Sequence, residues 1–127
     1  MVISRADWEQ LVAHAREDAP NECCGYGRMS DGRVEEIFRS ENLRHSPYGY
    51  ELDSKSLLAA NDLDEEGHGV VIYHSHPRSA AEPSQTDINL AHYPHWRYVI
   101  VSLEGEPRVR AWRIEDGRVE EEDVVVE

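Results

Sequence analysis

The sequence predicts a single α/β domain, residues 1–127, with a mixed, mostly antiparallel sheet flanked by helices. Three observations carry this. The chain has 127 residues, a length that suits one domain around one core. Two stretches space their apolar residues as helices do. The remainder consists of short apolar or alternating runs punctuated by turn signals.

Val2-Ile3 reads as a short first strand. Ser4 is an N-cap for a helix from Arg5 to Asp18, in which Trp8, Leu11, Val12 and Ala15 form one apolar face. His14 lies in this helix outside any cluster and reads as structural or solvated. Pro20-Asn21 ends the helix. Glu22-Cys23-Cys24-Gly25-Tyr26-Gly27 starts a strand whose glycines imply close backbone approach or a bend. Ser30-Asp31-Gly32 turns it into a partner from Val34 to Phe38. From Ser40 to Tyr50 periodicity breaks, giving a loop of the kind that borders functional sites, with Tyr48 and Tyr50 as contact or packing residues. Asp53 or Ser54 caps a second helix through Leu57, Leu58, Ala60 and Leu63, with Gly67 just beyond its end.

Val70-Val71-Ile72-Tyr73 is a buried strand running into His74-Ser75-His76-Pro77. Residues at i and i+2 of a strand share a face, so both imidazoles point the same way until Pro77 stops the ladder. A third helix is predicted from Ser84 to His92. Tyr98 to Val101, Val109 to Ile114 and a last strand reached through Asp116-Gly117 and ending in Val124-Val125-Val126 make three closing strands. His92 and His95 read as surface or supporting residues.

His74, His76 and Asp87 can supply three ligands to a metal and leave a fourth position open, the arrangement of catalytic zinc. Ser84-x-x-Asp87 also reads as an ordinary helix start, with Ser84 as N-cap and Asp87 in the first turn. Glu22 reads as a solvated acid at a strand start. Cys24 reads as a small buried residue.

The formal charge of −13, from 26 acidic and 13 basic residues, argues against nucleic acid or an anionic membrane as partner. Cys23 and Cys24 are the only cysteines and are adjacent, so no disulfide framework is expected and a reducing, cytoplasmic setting fits. No apolar run is long enough to span a membrane, and the first residues do not begin a signal peptide.

Taken together, Glu22, His74-Ser75-His76-Pro77 and Ser84-Gln85-Thr86-Asp87 resemble the JAMM (MPN-plus) metalloprotease family. Pro20-Asn21-Glu22-Cys23-Cys24-Gly25 looks like the family's proline-glutamate-cysteine-glycine segment, and the resemblance runs over nearly the whole chain. It implies a fold related to that of the cytidine deaminases and one Zn2+ per chain held by His74, His76 and Asp87. It also implies Glu22 as general base and Ser84 as donor to the oxyanion. The implied reaction is hydrolysis of the bond after the C-terminal Gly-Gly of a ubiquitin-like, sulfur-carrier partner, in one group releasing cysteine. The chain looks like the short bacterial and archaeal members. The alternative is a non-catalytic binding or scaffold module of the same fold. A DNA-associated relative is disfavoured by the negative charge, and a zinc deaminase by the absence of a Pro-Cys-x-x-Cys signature.

Overall fold

The computed structural model describes residues 1–127. Its elements, in chain order, are β1 (Val2–Ile3), α1 (Arg5–Asp18), β2 (Cys24–Ser30), β3 (Arg33–Ser40), α2 (Ser54–Glu65) and β4 (Gly69–His76). There follow α3 (Gln85–Asn89), β5 (Arg97–Ser102), β6 (Arg108–Glu115), β7 (Arg118–Glu122) and β8 (Val125–Val126). Local chemistry explains most boundaries. The Ser4 hydroxyl accepts from the Asp7 N–H and starts α1, and Asp53 accepts from the Ser56 N–H and starts α2. Gly67, at φ +92°, takes the left-handed conformation that closes α2. Asp31-Gly32 and Asp116-Gly117 both carry positive φ at each position, as tight hairpins require.

All eight strands join one sheet in the order β7-β6-β5-β4-β2-β3-β1-β8. β2 pairs antiparallel with β3 and β4, and β6 with β5 and β7, while β4/β5, β1/β3 and β1/β8 are parallel. The sheet is therefore mixed and mostly antiparallel, as expected. β7 and β8 lie at opposite ends of this order, yet only Asp123 and Val124 separate them in sequence. Three peptide steps reach at most about 11 Å. The sheet must curl until its two edges nearly meet, and the Met1 ammonium donates to the Asp123 carbonyl oxygen at 2.8 Å across that seam.

The curled sheet has two apolar faces, sorted by the two-residue period of a strand. Val71, Tyr73, Val99 and Val101 pack with Leu11, Val12 and Ala15 of α1. Val70, Ile72, Tyr98 and Ile100 pack with Ala60 of α2, together with Trp96 and Trp112. His74 and His76 have the parity of Val70 and Ile72, so they emerge on the α2 face.

Two expectations need correction. The third helix has five residues rather than the nine from Ser84 to His92. Tyr93 stacks on Trp96 at 3.7 Å and donates its N–H to the Tyr98 hydroxyl, and these contacts pull the chain out of helix before Pro94. The C-terminal strands number four rather than three, because β7 stays with β6 while β8 crosses the seam to pair with β1. Of the two readings of His14, structural or solvated, the structure bears out the first: it is buried, and its Nδ1 lies 2.7 Å from the Tyr73 hydroxyl.

Candidate metal centre and active site

The centre is assembled from the ends of β2 and β4, the start of α3 and the loop after β3. β4 presents His74 and His76, both buried. Ser75 faces the other way, and its Oγ accepts the Cys23 N–H at 2.8 Å. The Ser75 N–H in turn donates to the Cys23 carbonyl at 3.1 Å. This locks the two strands together one residue beyond the Cys24–His74 pair. Continuing that register sets Glu22 beside His76 and on the same face.

Asp87 comes from the first turn of α3. Ser84 and Asp87 form a reciprocal capping box: the Ser84 Oγ accepts the Asp87 N–H at 3.0 Å, and Asp87 Oδ2 accepts the Ser84 N–H at 2.9 Å. The same Oδ2 lies 3.1 Å from His74 Nε2 and 3.0 Å from His76 Nε2, while the two Nε2 atoms are 3.2 Å apart. Helix cap and cluster member are thus one atom. The cap uses only the acceptor side of the Ser84 hydroxyl, leaving its proton free to be donated elsewhere.

Donor chemistry says what this triangle can hold. His76 Nδ1 is 2.7 Å from the Ala80 carbonyl, which can only accept, so Nδ1 carries the proton and Nε2 offers its lone pair inward. That lone pair faces a carboxylate oxygen and a second imidazole at little more than 3 Å. Such groups repel unless a cation or a shared proton lies among them. A tetrahedral ion with bonds of about 2.0–2.1 Å would separate its ligands by roughly 3.3–3.4 Å, close to the observed edges. His74 lacks a partner on its buried Nδ1, and its ring is oriented by stacking on Tyr50, at 4.3 Å and 15° between planes.

The local field is uneven. Burial lowers the His74 imidazole, with Asp87 opposing. For His76 burial acts in the same sense, but Asp87 and Ala80 outweigh it and raise the group. Burial alone would raise Asp87, yet its contacts with the two imidazoles and the Ser84 N–H hold it well below the usual carboxylate range. Glu22 behaves in the opposite way. Burial pushes its carboxyl up to about 8, reinforced by Asp87 and opposed by His76 and Arg44. Its Oε1 is buried with no hydrogen-bond partner. A buried carboxyl without a partner, beside a cluster of electron-pair donors, is where a proton carrier would stand.

Five residues stand out in the sequence: Glu22, His74, His76, Ser84 and Asp87. His74, His76 and Asp87 meet directly, Ser84 is bonded to Asp87, and Glu22 lies alongside through strand register. The sequence pattern does not single out Asn42 and leaves Tyr50 open between contact and packing. The buried Asn42 side chain donates to the Glu22 and Gly49 carbonyls and accepts from the N–H groups of Arg44 and Glu51. It thereby ties the loop to the backbone of Glu22. The only signal for either residue was their place in an aperiodic loop. Cys24 is buried with its thiol pushed up to about 12 by desolvation, so at neutral pH it is a neutral packing group.

The chain is similar to several known proteins. The CysO-cysteine peptidase of Mycobacterium tuberculosis is 43% identical over 99% of this chain and 91% of its own length. The desampylase of Haloferax volcanii is 34% identical over 82% and 81%. The probable TtuB-protein conjugate cleaving protease of Thermus thermophilus is 36% identical over 93% and 78%. A solution structure from Desulfitobacterium hafniense superimposes with a TM-score of 0.82 at 33% identity, covering 100% of this chain and 93% of that one. At 19% identity and a TM-score of 0.60, a structure described as a JAMM metalloprotease-like zinc site shares the fold, covering 100% and 97%. Residues 4–115 match the family of prokaryotic homologs of the JAB domain, and the chain therefore belongs to that JAMM-type family.

Proposed function

We propose that this protein is a zinc-dependent peptidase that hydrolyses the bond following the C-terminal Gly-Gly of a ubiquitin-like, sulfur-carrier protein, releasing cysteine or another C-terminal adduct. The observation that carries the proposal is the convergence of three electron-pair donors at 3.0–3.2 Å beside the unpartnered carboxyl of Glu22. The relatives named as a CysO-cysteine peptidase and a probable TtuB-protein conjugate cleaving protease support the substrate class.

In this reading His74, His76 and Asp87 hold one Zn2+ per chain. When bound, the ion supplies Lewis acidity and brings the ionisation of water near neutral pH. Glu22 takes the proton of the attacking water as its oxygen adds to the scissile carbonyl carbon. The free proton of the Ser84 hydroxyl is donated to the oxygen that gains charge. Glu22 then passes its proton to the departing nitrogen as the C–N bond breaks, leaving a free amine and a glycine carboxyl group that ionises by releasing the second water proton. Tyr50 and Asn42 act only by position, one orienting His74 and the other fixing the segment that carries Glu22.

The test combines metal analysis with one substitution. Protein purified without chelator should contain about one zinc per chain. Glu22→Gln should retain it while losing at least about a hundredfold in turnover of a carrier extended beyond Gly-Gly. Metal-free protein that hydrolyses the carrier, or a fully active Glu22→Gln variant, would remove the reading.

A further inference from the structure

We propose that a pocket on the Glu22 and His76 side of the centre binds the leaving group, and that Arg78 pairs with a free α-carboxylate on it. This rests on the peptidase reading above and adds what the enzyme selects: a carrier ending in one or a few residues with an open C-terminus, rather than one joined to a folded protein. The pocket has a volume of about 420 Å3 and is walled by Pro20, Pro47, Tyr48, Pro77, Arg78 and Ser79. That suits a short leaving group and is too small for a globular one.

Each wall is tied to a residue of the centre. Pro20 lies two residues before Glu22, and Pro77 directly follows His76. The Glu22 N–H donates to the Ser46 carbonyl at 2.9 Å, and the Ser46 hydroxyl accepts the Tyr48 N–H at 3.0 Å, which fixes Pro47 and Tyr48 against the base. The strip bearing Arg78 is pinned at three successive carbonyls. Ser79 accepts from the Ser102 hydroxyl at 2.6 Å, Ala80 from His76 Nδ1 at 2.7 Å and Ala81 from the Trp112 indole at 3.0 Å. Three prolines and these bonds make the pocket preorganised, so little ordering cost falls on the ligand.

Charge identifies the ligand. The chain carries −13 overall, a field that repels carboxylates. Six of the twelve arginines, Arg28, Arg33, Arg39, Arg97, Arg110 and Arg113, sit within ion-pair distance of an acid, and Arg78 is among the six that do not. Arg78 is exposed, has no such partner, and lines a pocket whose other walls carry no charge. A guanidinium left unpaired there offers two parallel donors to a carboxylate. Tyr48, 83% exposed, has no packing duty and stands at the wall as an apolar cover for the leaving group's stem.

The test uses a ubiquitin-like carrier extended beyond Gly-Gly by one cysteine, prepared with a free carboxylate and as the carboxamide. The zinc-loaded wild type should show a kcat/KM about tenfold higher for the acid. In Arg78→Ala that ratio should collapse toward one, and Arg78→Lys should restore part of it. Independently, cysteine should shift the amide resonances of Tyr48 and Arg78 in the metal-free protein and cysteinamide should not. Equal rates for acid and amide in the wild type would overturn the assignment. So would a preference that survives in Arg78→Ala or is lost instead in Arg44→Ala. Failure of the zinc-loaded wild type to cleave either substrate would overturn the peptidase reading itself, which the resonance shifts do not depend on.

Discussion

Glu22 is where burial and chemistry conflict most. A carboxyl driven up to about 8 holds its proton at neutral pH unless a positive charge arrives nearby, and a dication at the proposed site would supply that charge. Metal-free protein should therefore show the strain directly. Between its ordinary value of 4.5 and about 8, Glu22 binds more proton in the folded state than in the unfolded chain. Stability must then fall as pH rises through that window. By pH 8 the loss is of order 4 kcal/mol. Glu22→Gln cannot ionise and should remove the slope. Thermal melts of chelated wild type and variant should coincide near pH 4.5, with the variant progressively more stable up to pH 8. Parallel curves would show that the Glu22 site is wetter than its burial implies.

The elements explain how much of this was legible. That His74 and His76 share a face follows from strand parity, and that Asp87 starts a helix follows from Ser84. Nothing within Glu22-Cys23-Cys24 names the strand it will pair with, so its meeting with His76 depended on a β2/β4 register that one sequence does not contain. Asn42 and Tyr50 lie where no periodicity operates, and their roles come from the tertiary contacts of a loop. The glycines of β2 imply close backbone approach or a bend, and at Gly25 the structure shows close approach. A Cβ there would sit 2.4 Å from the Phe38 carbonyl oxygen and 2.4 Å from the Tyr73 ring, whose hydroxyl is held by His14. Neither neighbour can retreat cheaply. Gly25→Ala should cost more than about 3 kcal/mol and lower Tm by at least about 10 °C. Gly27→Ala, whose nearest contacts are at 3.0 and 3.1 Å, should be milder. Measuring both Tm values checks the argument, and a Gly25→Ala protein as stable as wild type would refute it.

At the scale of the molecule, the centre depends on a sheet whose two ends are fastened by very little. β8 contributes two residues, yet its segment accounts for three backbone bonds around the seam. The Val125 N–H donates to the Met1 carbonyl, the Glu127 N–H to that of Ile3, and the Arg5 N–H to that of Glu127 at 2.7 Å. The last of these satisfies a free donor at the start of α1, the helix that covers the Val71, Tyr73, Val99 and Val101 face. Removing residues 125–127 should cost about 2–4 kcal/mol, at roughly 1 kcal/mol per backbone bond plus lost apolar cover from Val126. It also exposes an edge of β1 to pairing with other chains. The centre itself sits on β2, β4 and α3, which retain all their partners. The truncated chain should therefore melt earlier and self-associate at high concentration while still binding one zinc. Denaturant titration and metal analysis on the same sample separate the two effects. If zinc were lost along with stability, the closure of the sheet would itself be holding the ligands in register.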